Sequence, residues 1–266
     1  MYLKPLLCLI FIFTCFSGKA QGPCLKNAHS HNDYRQKRPL SDALQNGFNS
    51  MEADVFLVKG QLLVSHLPPR SKKCSSLEAL YLLPLKTLFD KQQGMVYSNG
   101  SLILLIDIKS NATDTYRLLS KLLEQYRAML TRYEDGKIIA GAVTIILSGN
   151  KPYEELQKEK TRFAFIDQSL LELDQPRQED LCLMASTKYS SILKWKGKGL
   201  IPAKEKNKLM QLVKQAHEQG KKVRLWASPE NKIVWKELLD CGVDLINTNK
   251  LEELKLFLAS SATGPQ

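Results

Sequence analysis

Three of the chain's four histidines fall within 38 residues, interleaved with carboxylates. The run reads His29-Ser30-His31-Asn32-Asp33-Tyr34, then Glu52-Ala53-Asp54, then His66, with Asp107-Ile108-Lys109 further on. Imidazoles move protons near neutral pH, and clustered carboxylates hold a hard cation that can neutralise a phosphate. His217 stands apart, near the end of a helical segment, and reads as an ordinary surface histidine.

The elements that must position these groups begin after residue 20. Lys4 precedes an apolar stretch from Leu6 to Phe16, and Ser17-Gly18-Lys19-Ala20 supplies small residues before a cut. This is the pattern of a secretory signal peptide cleaved near Ala20, which implies export to a periplasm or the exterior. The apolar stretch is about half of the ~20 residues that a membrane span needs. Removal of residues 1–20 takes away Lys4 and Lys19 and no acid, lowering the formal charge from +11 to +9. The positive residues are scattered, among them Arg70, Lys194, Lys196, Lys198, Lys222 and Arg224. They read as a solvated surface with attraction for an anionic membrane surface or phosphodiester substrates. No aromatic-basic platform appears, so nucleic acid is not an expected partner, and nothing calls for more than a monomer.

The hydrophobic period changes repeatedly along the rest of the chain. Leu102 to Ile108 is an almost continuous apolar run, as in a strand buried on both faces. Asp114 to Leu130 repeats Leu118, Leu119, Leu122, Leu123 and Tyr126 at helical spacing. Continued through the chain, this places eight strands near residues 26, 54, 105, 144, 164, 183, 225 and 245, with helices in most intervals. Leu77 to Lys91 reads as a helix that Pro84 bends or divides. Eight strand–helix units in residues 21–259 predict one α/β domain, a (β/α)8 TIM-type barrel. An open doubly wound sheet has the same local pattern but usually shows a glycine-rich phosphate loop after its first strand. Here His-Ser-His-Asn stands there instead. Residues 260–266 read as a disordered tail.

Catalytic groups of such barrels gather at the carboxyl ends of the strands. Glu52 and Asp54 are two apart on a strand and face one way; Asp107 and Lys109 end the next with the same spacing. Buried carboxylates without partners are costly, and a divalent cation with oxygen ligands, Mg²⁺ or Ca²⁺, would satisfy all three.

These segments resemble the phosphatidylinositol-specific phospholipase C-like phosphodiesterases, especially the glycerophosphodiester phosphodiesterase branch. The run from His29 to Tyr34 with Pro39-Leu40, Gly47 and Ser50-Met51-Glu52-Ala53-Asp54-Val55 resembles most the sub-branch of the altered-inheritance-of-mitochondria proteins and their exported bacterial homologues. The likeness is strong over 28–66 and 103–109 and returns weakly at Val223–Trp226 and Gly242–Asn249. It implies a barrel, a divalent cation and cleavage of a small phosphodiester or phospholipid-derived substrate. The family's metal carboxylates match Glu52, Asp54 and Asp107. Its catalytic histidines match His31 and His66, with His29 the rival for the first, and Lys109 accompanies Asp107. Two departures stand out: Asn32-Asp33 replaces the family's Arg-Gly, and His66-Leu67 replaces its His-Asp. Lys109, Asn32 and Lys188 are then the candidates to receive phosphate, and Trp226 to wall the substrate pocket. The departures also leave room for a catalytically inactive barrel that binds anionic lipid headgroups or sugar phosphates.

Cys24, Cys74, Cys182 and Cys241 remain after cleavage, at no metal-site spacing. Cys24 precedes the first strand and Cys241 the last, so export would permit a disulfide pinning the barrel seam.

Overall fold

The computed structural model describes residues 24–69, 74–175 and 180–262. The expected leader over 1–20 and the last residues, 263–266, lie outside that range. Eight strands run parallel and close on themselves. They are β1 (Leu25–Ser30), β2 (Phe48–Val58), β3 (Leu102–Ile108), β4 (Val143–Gly149), β5 (Ala164–Ser169), β6 (Met184–Lys188), β7 (Lys222–Trp226) and β8 (Leu245–Thr248). Helices α1 (Ser41–Gln45), α2 (Leu83–Lys91), α3 (Ala112–Gln125), α4 (Tyr153–Lys158), α5 (Ala203–Glu218) and α6 (Lys232–Asp240) occupy every crossover but that from β5 to β6, which has no helix among the described residues, and α7 (Leu251–Ala262) follows β8. The expected eightfold barrel is the observed fold. None of the described helices is long and apolar enough to cross a membrane.

Closure follows from the β1–β2 and β1–β8 pairings, His29 lying opposite Ser50 on one side and Asn247 on the other. The register carries one set of positions around the ring. Glu52 pairs with Leu105, Asp107 with Ser148, Ile146 with Phe165, Asp167 with Met184, Ser186 with Arg224, and Arg224 with Leu245. Strand side chains alternate, so these residues share the inner face while their neighbours point out to the helices. The inner face has two levels. Ile103, Leu105, Ile146, Phe165, Met184 and Leu245 form an apolar floor, a core separate from that between strands and helices. Above it the same strands turn polar, at Asp107, Ser148, Asp167, Ser186 and Asn247.

Local signals account for the helices. Asn111 caps α3 by accepting from the Asp114 N–H at 2.9 Å, and Tyr116, Leu119 and Leu123 form its buried stripe. Asn231 caps α6 in the same way through Val234. The predicted Leu77–Lys91 helix is divided, a π-helical turn over Glu78–Leu82 leading into α2 with Pro84 in its first turn. The last helix runs to Ala262 rather than ending at Ala259. Gln61–Val64 folds back antiparallel on β2, which makes it a hairpin.

One feature escaped the sequence reading. Arg132–Glu134, Lys137–Ile139 and Thr161–Arg162 form a small antiparallel sheet. Tyr133 from this sheet packs on the apolar floor and stacks 3.8 Å from the buried Arg162 guanidinium. It thereby plugs the amino-terminal end of the barrel. Asp135-Gly136, both at positive φ, makes the hairpin turn and was a legible signal.

The seam disulfide is not formed: Cys24 and Cys241 are both free thiols. The Cys24 N–H donates to Asn99 Oδ1 at 3.3 Å, and its sulfur packs against Gly100, just before β3. It therefore turns toward the β2–β3 side of the barrel, while Cys241 lies beside Glu237 at the end of α6.

Candidate active site

The carboxyl ends of the strands surround a cleft of about 700 Å³. One half of its wall comes from β1 to β3 and the loops after them: His31, Asn32, Glu52, Asp54, His66, Asp107 and Lys109. The other half comes from β4 to β7 and includes Ser148, Asp167, Ser186, Lys188, Arg224 and Trp226. The structure thus brings all but one of the sequence-nominated site residues to one cleft, with Lys188 and Trp226 on the half away from the others. The exception is His29, which is fully buried behind Glu52.

Glu52, Asp54 and Asp107 each present a ligand atom within 4.8 Å of the other two. Asp54 divides its oxygens. Oδ2 accepts from His66 Nδ1 at 2.9 Å and lies 2.8 Å from the Tyr34 hydroxyl. Oδ1 is buried without a hydrogen bond, with Lys109 Nζ 3.5 Å away. Asp107 Oδ1 is likewise buried and unpaired, while its other oxygen meets Lys109 Nζ at 2.8 Å. Burial pushes the Asp107 carboxyl above its ordinary range; Lys109 opposes the shift, and Glu52 and Asp54 add to it. Burial also works against the charge on Lys109, but Asp107, Asp54 and Glu52 together hold that ammonium above its ordinary value. Two orphaned oxygens in an all-oxygen cluster are what a hard divalent cation would satisfy.

Gly149 makes room for Asp107. Its φ is +68°, and a Cβ there would come within 2.1 Å of Asp107 Oδ1 and 2.5 Å of the Ile108 carbonyl oxygen. Only glycine allows β4 to pass so close beneath the carboxylate.

Glu52 is held from below by Arg224. The guanidinium Nη1 donates to Glu52 Oε2 at 2.6 Å and to Asn247 Oδ1 at 3.0 Å, and lies 3.0 Å from His29 Nε2. Its Nη2 is 3.8 Å from Asp167. Burial disfavours the Glu52 charge, but Arg224, then His29, keep the carboxyl well below the usual range. His29 is pushed down to about 4, first by burial and then by Arg224. It is therefore neutral near pH 7. Its Nε2 lies 3.2 Å from Glu52 Oε2 and its Nδ1 2.7 Å from Ser50 Oγ, so Nε2–H donates to the carboxylate and Nδ1 accepts from the hydroxyl. His29 is a positioning residue, one layer below the cleft. Arg224, counted among scattered surface charges from sequence, is in fact buried, as is Lys221. Arg70 lies outside the described residues. The apolar neighbours Val223 and Leu225 and the two-residue spacing to Trp226 were the available signal for Arg224.

His31 and His66 stand at the mouth. Asn249 Oδ1 lies 3.1 Å from His31 Nδ1, and Asn249 Nδ2 is committed to Glu230. His31 therefore donates through Nδ1, and His66 donates through Nδ1 to Asp54. Each neutral ring keeps Nε2 as a proton acceptor. Asn32 adopts the left-handed conformation (φ 47°) and accepts from the Tyr34 hydroxyl at 2.9 Å, so its side chain shapes the loop under both imidazoles. Burial, then Asp54, pushes the Tyr34 phenol well up, keeping it a neutral donor. Asp33 belongs to this loop and not to the site: it accepts from Ser30, the Leu40 N–H and Tyr81. Lys188 lies over the Trp226 ring at 5.7 Å on the far rim. His217 is half-exposed and pairs with Asp244 away from the cleft.

Comparison with known proteins places this architecture. A family model described as "AIM6-like phosphodiesterase domain" matches residues 22–167. The chain belongs to that family. A second model, "Glycerophosphoryl diester phosphodiesterase family", matches residues 222–252, the segment carrying Arg224 and Trp226. The protein named altered inheritance of mitochondria protein 6 from Kluyveromyces lactis is 31% identical over 88% of this chain and 72% of its own length. The protein of the same name from Lachancea thermotolerans is 29% identical over 85% of this chain, which spans 64% of that relative. A crystal structure of a glycerophosphodiester phosphodiesterase from Parabacteroides distasonis shares the fold, with a TM-score of 0.61 at 18% identity, covering 91% of this chain and all of that one.

Proposed function

We propose that this member of the family cleaves a phosphodiester, a glycerophosphodiester or related phospholipid headgroup, with a divalent cation held by Glu52, Asp54 and Asp107. The observation that carries this reading is the division of Asp54, one oxygen orienting His66 and the other left free among converging carboxylates. A bound Mg²⁺ or Ca²⁺ would supply charge neutralisation for the phosphate. The protein's own groups do the rest. Lys109 adds a second positive charge on the same side, and Asn32 and Lys188 are placed to receive phosphate oxygens. His31 and His66 divide the proton transfers, one withdrawing a proton from the attacking hydroxyl and the other protonating the leaving alkoxide. Trp226 walls the pocket from the end of β7. The basic balance supports an anionic substrate, and the leader expected over residues 1–20 supports action outside the cytoplasm; the proposed form is a monomer without a nucleic-acid partner.

One observation favours a second reading, a silent barrel binding anionic headgroups or sugar phosphates. Lys109 already neutralises part of the carboxylate cluster from within. A phosphodiester panel assayed with and without EDTA separates the two. Turnover lost to chelator and restored by Mg²⁺ or Ca²⁺ supports the enzyme. Binding without turnover across the panel supports the silent barrel.

A further inference from the structure

The loop from His31 to Leu40 holds two residues at positive φ, neither of them glycine: Asn32 at 47° and Leu40 at 62°, the latter with ψ −52°. A bulky side chain is seldom found in that region, and such a backbone persists only where its surroundings over-determine it. One carboxylate supplies that hold. Asp33 is fully buried, and its two oxygens gather three donors from three parts of the chain. Oδ1 accepts from Ser30 Oγ at 2.8 Å, at the end of β1. Oδ2 accepts from the Leu40 N–H at 2.6 Å and from the Tyr81 hydroxyl at 3.0 Å. The Leu40 bond grips the strained residue itself. Tyr81, also fully buried, stands on the π-helical turn over Glu78–Leu82, so this uncommon turn delivers its phenol beneath the loop. The family's Arg-Gly offers no such grip at this point, since glycine has no side chain.

What the loop presents belongs to the site. His31 Nδ1 lies 3.1 Å from Asn249 Oδ1, and the Tyr34 hydroxyl lies 2.8 Å from Asp54 Oδ2 and 3.3 Å from His66 Nδ1. Asp33 stands between His31 and Tyr34 in sequence, with its carboxylate turned into the protein. We infer that Asp33 is a positioning residue of the active site, its carboxylate holding the loop in the strained form that presents the His31 imidazole and the Tyr34 hydroxyl. This role rests on the phosphodiesterase reading above and adds a residue to it. A carboxylate suits the task because both its oxygens accept and all three partners can donate. Asparagine has the same shape. Its oxygen can keep the Leu40 and Tyr81 bonds while its amide donates to the Ser30 hydroxyl, which then accepts. Alanine removes all three bonds. The loop is then free to relax toward an ordinary backbone at Leu40, and it carries His31 and Tyr34 with it.

The test measures kcat and KM with Mg²⁺ or Ca²⁺ on an ester of the panel above that the wild type cleaves, using enzyme shown by circular dichroism to be folded. A group misplaced by ~1 Å can cost about 100-fold in rate, so Asp33→Ala should lower kcat by about 10–100-fold with KM little changed. Asp33→Asn should restore most of that loss. Tyr81→Phe removes one of the three bonds and serves if either Asp33 variant does not fold; it should lower kcat by about fivefold, again with KM little changed. Wild-type kcat in Asp33→Ala, or in Tyr81→Phe where that variant stands in, overturns the role. So does a loss confined to KM, or one that Asp33→Asn leaves unrepaired. If no panel ester turns over with the wild type, the phosphodiesterase reading fails, and the position of His31 is read instead from its ring by two-bond ¹H–¹⁵N NMR. The wild type should then show the single Nδ1–H form. Loss of that form in Asp33→Ala and its return in Asp33→Asn uphold the role of Asp33; a ring unchanged in Asp33→Ala overturns it.

Discussion

Gly149→Ala tests how closely the barrel is built around Asp107. The new Cβ would stand 2.1 Å from Asp107 Oδ1 and 2.5 Å from the Ile108 carbonyl oxygen. The carboxylate can rotate away, but the carbonyl belongs to the neighbouring strand and cannot. Holding alanine in the left-handed region costs about 1–2 kcal/mol. Overpacking against a fixed neighbour adds about 1–3 kcal/mol. The variant should therefore lose roughly 2–5 kcal/mol in urea unfolding followed by circular dichroism. Rotation of Asp107 also breaks its contact with Lys109 and removes one carboxylate from the cluster, so metal affinity should fall by about 10–100-fold in calorimetric titration with Mg²⁺ or Ca²⁺. Gly136→Ala is the matched control. Its φ is +78°, yet a Cβ there meets nothing within 4 Å. It should show the backbone cost alone, with metal affinity unchanged. Wild-type metal binding in Gly149→Ala, or equal losses in both variants, would refute the reasoning.

Asp54→Asn should weaken metal binding and turnover together, and a wild-type metal titration and rate would remove Asp54 from the cluster. His31→Ala and His66→Ala should each lower kcat by about 10²–10⁴-fold with folding intact; His29→Ala should instead act mainly on stability, and a tolerant His31 beside a damaging His29 would reverse their roles. Arg224→Met leaves the Glu52 carboxylate buried without its cation and should cost about 3–5 kcal/mol, much of it recovered by adding Glu52→Gln, as measured by urea unfolding of both variants. In EDTA, His29 should make stability fall on acidification. Its folded value near 4 lies below its ordinary 6.5, so the unfolded chain takes up the proton first. About 3 kcal/mol present above pH 6.5 is then lost as pH drops toward 4, and His29→Gln should abolish that slope in pH-dependent unfolding.

Much of this site is legible because a strand has a period of two. Glu52, Asp54, Asp107 and Lys109 share a face by spacing alone, and parallel pairing of Asp54 with Asp107 then sets those carboxylates side by side. The alternation of apolar runs with helical segments likewise marks all eight barrel strands. Arg224 and Asp167 were not legible as site residues, because the sequence does not say which strand lies across the barrel. An arginine between two apolar residues reads as well for a solvated edge as for a buried counter-ion. The register decides it by setting Arg224 beside Ser186, two strands around the ring from Asp167 and across from Glu52.

His29 and His31 show the remaining limit most clearly. They are two apart, of one type, and share a parity, so nothing in their spacing distinguishes a wall of the cleft from the layer beneath it. Depth does. His29 lies within β1, level with Ser50 and Asn247, where burial, and after it Arg224, removes its proton affinity at neutral pH. His31 has just left the strand, and its ring meets Asn249 from the loop after β8 at the open end. Two residues along the chain thus convert the same side chain from a neutral hydrogen-bonded anchor under the cleft into a group that can exchange protons within it. The same step in depth separates Glu52, anchored by Arg224, from Asp54, which keeps one oxygen free.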